Sequence, residues 1–177
     1  YLQSMSPQVP QTPQDMQALV PSDLAVMLGQ AAHTMGNDIT RPTMDGAQIE
    51  GNGADTDVFS CNGNMASWLR QPSSLRLSAH VPTKGVTLLR SVLAELDSAE
   101  VAKLNGWLIV RGGPTTIGVK LFDEHEFPSV KNAIPGALAA VTVERAALVR
   151  AAKLMISVGA ASGDSTALLL QTTIPGE

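Results

Sequence analysis

The chain has 177 residues and a formal net charge of −4; 44% of its residues are hydrophobic, 16% charged and 3% aromatic. That length suffices for one domain with a real core, burying roughly 70% of the surface its unfolded chain exposes. Its single cysteine, Cys61, excludes an intrachain disulfide and a zinc site built from cysteine pairs, and no run of about 20 apolar residues offers a membrane-spanning helix.

The N-terminal stretch YLQS before Met5 reads as a tag-cleavage remnant, and residues 1–21 as a Pro/Gln-rich arm. Within the arm, Thr12 can cap a short helix with Pro13 at its first position. Residues 22–177 read as a single domain. Ser22 is placed to cap a helix whose apolar residues Leu24, Met27, Leu28, Ala31 and Met35 recur at helical spacing, with Gly36 as its stop. Residues 37–64 form a long polar loop with short strands around Ile49 and Val58-Phe59.

Ser74–Val81 alternates apolar and polar residues, as a half-buried strand does. A helix follows with Leu88, Leu89, Val92, Leu93 and Leu96 on one face. A further helical turn from Asp97 or Ser98 would close at Asn105-Gly106. Trp107–Val110 and Ile117–Phe122 flank RGGPTT and read as a β-hairpin. Pro135 and Gly136 argue against a long helix after Pro128. Thr142 can cap a helix running to Val158, with a strand over Lys153–Val158 as the rival reading. Gly159–Ser165 reads as a loop and Thr166–Ile174 as a buried strand. No internal repeat is visible. The sum is an α+β fold of five to seven short antiparallel strands and about three helices; a β-sandwich or jelly-roll with an inserted helix is the alternative.

Candidate chemistry is sparse. Asp123, Glu124, His125 and Glu126 flank the end of the hairpin, but alternation puts only Asp123 beside His125, too few ligands for a metal. Cys61 with His80 or His33 could form a thiol and base, yet no cation near it in sequence would lower a thiol pKa. Ser162 and Asp164 lie in GAASGDS, which lacks the spacing of a nucleophile elbow or a phosphate loop, and RGGP is too short for a dinucleotide fingerprint. No catalytic residue, cofactor or metal is expected.

Low charge against the usual quarter of residues points to a surface partly covered by other subunits. The first reading is therefore a non-enzymatic structural or interaction protein that self-associates, a coat-type subunit being one form, with Leu19, Val20, Met27 and Met35 as candidate oligomer contacts. Met16 and Met44 belong to the same methionine-rich third of the chain. A peptide-holding adaptor or chaperone-like module is the second reading, an enzyme without a recognisable motif the third. Residues 1–57 hold Asp15, Asp23, Asp38, Asp45, Glu50, Asp55 and Asp57 against Arg41 alone, so nucleic acid is not expected to bind through them. The expected setting is cytoplasmic, or an intracellular assembly or virion.

Overall fold

The computed structural model describes residues 13–36, 41–122, 127–133 and 142–162. The chain divides into two compact units, residues 1–135 and 136–177.

The first unit is α+β, with eight antiparallel strands in two four-stranded sheets. In chain order it contains β1 (Gln17–Leu19), α1 (Pro21–Ala31), β2 (Ala47–Asn52), β3 (Asp55–Cys61), β4 (Ala66–Pro72), β5 (Arg76–Val81), α2 (Thr83–Leu93), β6 (Ala99–Leu104), β7 (Trp107–Gly112), β8 (Thr115–Lys120) and the one-turn α3 (Val130–Ala133). The order strand, helix, three strands occurs twice. The repeat that the sequence hides is thus present in the backbone. The halves trade their first strands: β1 completes the sheet β1-β6-β7-β8, and β5 completes β4-β3-β2-β5.

The trade is stitched at one point. The Gln17 carboxamide donates to the Arg76 carbonyl at 2.8 Å and accepts from the Arg76 amide at 2.6 Å, so a side chain continues the ladder from β1 to β5. Lys103 Nζ donates to the Ser78 carbonyl across the same seam at 3.0 Å. This leaves β4 and β8 as the two open edges; among the described residues no strand pairs with the outer side of either.

The paired helices α1 and α2 pack on the inner faces of the sheets. Leu24, Met27, Leu28 and Ala31 of α1 and Val86, Leu89 and Leu93 of α2 join Ile49, Val58, Leu75, Val101, Leu108 and Val110 in one core. Helix α1 begins one residue before the expected Ser22 cap, with Pro21 where a missing N–H costs nothing, and stops at Ala31, short of Gly36.

Several expectations are corrected. No helix follows Pro13; the described arm leads into β1. The strands expected around Ile49 and Val58-Phe59 are present as β2 and β3, but at six and seven residues they fill much of the segment read as a long polar loop. The helical turn expected over residues 98–105 is strand β6, because Asn105 (φ 50°) and Gly106 (φ 74°) form a hairpin turn rather than a helix end. Strand β4 was not anticipated. The hairpin around Gly112-Gly113-Pro114 stands as β7–β8.

The described part of the second unit is one helix, α4 (Arg145–Ser162). The Glu144 carboxylate, not Thr142, caps it, accepting from the Ala146 and Ala147 amides at 3.0 and 2.8 Å. The rival strand over Lys153–Val158 is overturned, and the helix absorbs the first residues of the expected loop at 159–165. Thr166–Ile174 lies outside the described residues.

Gly85 locks α2 to the sheets. A Cβ there would run into Val119 Cγ1 and come within 3.0 Å of Val81 Cγ1. Both walls are β-branched core residues with little rotamer freedom. Alanine gains up to about 1 kcal/mol of helix propensity, but overpacking costs about 1–3 kcal/mol. Gly85→Ala therefore lowers the urea midpoint with an unchanged m-value, a net loss of up to about 2 kcal/mol.

Candidate functional site

Strand β3 carries the site because both of its faces are covered. Thr56, Val58 and Ser60 point inward; Asp57, Phe59 and Cys61 point outward and are buried too. The outer cover is the segment Phe127–Ala133, a strap whose Val130 and Phe127 form a second small apolar cluster with Phe59, Cys61 and Met44.

Asp57 sits in this outer layer with its side chain only 4% exposed. Trp68 Nε1 and Arg70 Nε donate to its Oδ1 at 2.9 and 2.8 Å, and Arg70 Nη2 donates to Oδ2 at 2.9 Å. Lys131 Nζ of the strap lies 3.1 Å from the same Oδ2 and 3.5 Å from Glu50 Oε2. Its ammonium also stands over two aromatic rings, 4.8 Å from the Phe59 centroid and 5.7 Å from that of Trp68. The Arg70 guanidinium above all, with Trp68 and Lys131, holds the Asp57 carboxyl far below the usual carboxylate range against the opposing effect of burial.

Two recesses flank the strap. One of about 140 Å³ is bounded by Glu50, Phe59 and Lys131. The other, about 330 Å³, is lined by Met44, Cys61, Met65, Ala66, Val130 and Ala133. A third cavity, about 180 Å³, lies beside the end of β4, between Leu19, Val20, Leu24 and Met27 on one side and Gln71 and Pro72 on the other. Thr56 also lines it, and its buried Oγ1 has no hydrogen-bond partner among the described residues.

Three of the four candidate oligomer contacts, Leu19, Val20 and Met27, are therefore brought together next to an open sheet edge. Val20 is 58% exposed, Leu19 is half-buried, and Met27 is buried in the subunit's own core. Met35 packs against that core elsewhere. Cys61 lies among Phe59 and Val130, and burial pushes its thiol pKa up, the wrong direction for a nucleophile. His33 is exposed. The His80 ring lies against Phe122 and Phe127, with Nε2 2.7 Å from the Asp45 carbonyl. Asp123–Glu126 and Asp164 fall outside the described residues, and Ser162 is the last residue of α4. Among the described residues no group of three or more His, Cys, Asp or Glu could hold a metal, and no helix is long and apolar enough to cross a membrane. The sequence does not join the Asp57 cluster because its members come from three strands and the strap.

No protein-family model matches the chain, and no curated protein matches it. Solved structures do. The DNA polymerase III subunit beta of Pseudomonas aeruginosa superposes with a TM-score of 0.66 at 22% identity, covering 75% of this chain and 38% of that one. The beta sliding clamp of C. crescentus gives 0.64 at 15%, covering 75% and 38%. The DNA polymerase III beta chain of Streptococcus pneumoniae gives 0.66 at 13%, covering 76% and 37%. The likeness is one of fold, and the chain spans less than two fifths of the length of these structures. It lends no support to a coat-type subunit.

The contribution of Asp57 to stability has a definite sign with pH. Its folded pKa is depressed, so the contribution is complete above the ordinary aspartate value of about 4 and is lost as pH falls through the lower folded value. Asp57→Asn should cost about 1.5–3 kcal/mol at pH 7 and flatten the fall in stability on acidification below about pH 4. Urea melts of both proteins between pH 7 and pH 2.5 check this.

Proposed function

We propose that this is a clamp-type assembly domain, which pairs edge to edge with like domains into a closed ring on duplex DNA and performs no chemistry of its own. The observation that carries the reading is the pair of open edges. Strands β4 and β8 end corresponding halves of the repeat, so β4 of one domain can continue into β8 of the next. That contact is head-to-tail, and head-to-tail contacts of the right rotation close into rings. The placement of half-buried Leu19 and exposed Val20 beside β4 supports the same edge as the contact.

The helix face supports the ring's inner surface. The exposed positions of α1 and α2 are Ser22, Val26, Gln30, Lys84, Thr87, Leu88, Arg90 and Ser91, which include two cations and no carboxylate. Part of the acidity of residues 1–57 is taken up within the fold. Asp57 is ion-paired and buried, Glu50 meets Lys131, and Asp45 accepts a hydrogen bond from Thr83 at 2.5 Å. A few cations on an exposed helix face suit sequence-independent phosphate contact that can slide. The wider recess at Met44, Cys61 and Met65 favours a second role on the outer surface, holding an apolar segment of a partner protein.

Light scattering at tens of micromolar tests the assembly. The native chain should exceed monomer mass. Ile117→Lys, which puts a charge on the inner side of the open β8 edge, should return it to monomer with circular dichroism retained. A native chain that stays monomeric overturns the edge-pairing reading.

A further inference from the structure

The strap is held by a feature that resembles a ligand site more than a structural ion pair. We propose that the cage formed by Asp57, Glu50, Phe59 and Trp68 is a recognition site for the basic side chain of a partner polypeptide, and that Phe127–Ala133 is an internal ligand which such a partner displaces. The inference rests on reading this domain as a protein-interaction module only for the existence of a partner; the cage stands on its own geometry.

Three observations carry it. First, the cage is built without the strap. Arg70 and Trp68 fix both oxygens of Asp57, so the carboxylate keeps its position and its charge when Lys131 leaves. Second, the emptied cage is unbalanced. Asp57 and Glu50 then face the single cation Arg70, which stays over Trp68 at 5.2 Å, while the Phe59 face that Lys131 covered at 4.8 Å is left bare and favours a cation over water. Lys131 supplies that charge from a side chain 41% exposed, reaching in from solvent. Third, the strap is slight. It is a single helical turn whose Lys131, Asn132 and Ala133 are exposed, anchored by Val130 and Phe127. An apolar residue seated between Phe59 and Cys61, followed by a cation in the cage, is the pattern that a competing segment must copy. The partner class is therefore a polypeptide with a lysine or arginine directly after a large aliphatic residue.

The test empties the cage in the full chain. Trp68 and Trp107 are the two tryptophans, so a Trp107→Phe background makes Trp68 emission the reporter. In that background Lys131→Ala should respond saturably to n-butylammonium, with Trp68 emission returning toward the Lys131 value, whereas n-butanol has no such effect. The Lys131 protein should respond at least tenfold more weakly. A peptide copying residues 127–133 should bind Lys131→Ala at least tenfold more tightly than the same peptide carrying glutamine for its lysine. Adding Asp57→Asn should abolish both responses. If Lys131→Ala does not melt cooperatively, Lys131→Ser, which likewise empties the cage, is used with the same expectations. The proposal is overturned by no saturable response to the ammonium, an equal response to butanol, equal binding of the two peptides, or responses that survive Asp57→Asn.

Discussion

Strand β3 has water on neither face, and much of the first unit follows from that constraint. Its inner residues meet the helices; its outer residues meet the strap. A carboxylate in such a strand would be prohibitively costly to bury alone. Asp57 is tolerated because two neighbours on β4 and one lysine on the strap supply donors to both of its oxygens. The ion pair in turn fixes where β4 presents Trp68 and where the strap can lie. The two recesses beside the strap are consequences of the same arrangement.

The constraint also explains what could be read from the sequence. Strand β5 and the β7–β8 hairpin were legible, the first from its alternation and the second from the apolar runs about its Gly-Gly-Pro turn. Helix α2 was legible from its spacing. In β3 a covered outer face removes the alternation, so Asp-Thr-Asp reads as loop although all three residues lie in a strand. The better signal was the turns. Asn52-Gly53, Asn62-Gly63 and Asn105-Gly106 each sit at a hairpin. Asn52 Oδ1 accepts from Ala54 and Asp55, and Asn62 Oδ1 from Asn64 and Met65, the same device twice. Read as hairpin marks, they would have exposed β2, β3, β4 and β6 together. The cage was not legible, since its parts are joined by the registers of Asp57 with Glu50 and Arg70 and by the return of the strap.

Charge summed along a segment proved a poor guide to charge on a face. The acidic first third of the sequence suggests a surface that repels phosphate, but the fold ties Asp45, Glu50 and Asp57 into ion pairs and hydrogen bonds, and the fully exposed positions of α1 hold no carboxylate, Asp23 being half-buried. Segment charge bears on the unfolded chain; the field that a partner meets is set after folding.

The exchange of first strands between the halves has a kinetic side. Because Gln17 registers with Val101, and β5 closes a sheet begun by β2, neither half can complete a sheet from its own residues. The N-terminal half supplies a three-stranded sheet whose edge only β5 can fill, and β1 has no partner until β6 has been made. Closing so long a loop carries an entropic cost that must be met before its contacts form, which places the β1–β6 junction among the last steps of folding. The halves therefore mature as one cooperative unit, although each repeats the other's order of elements.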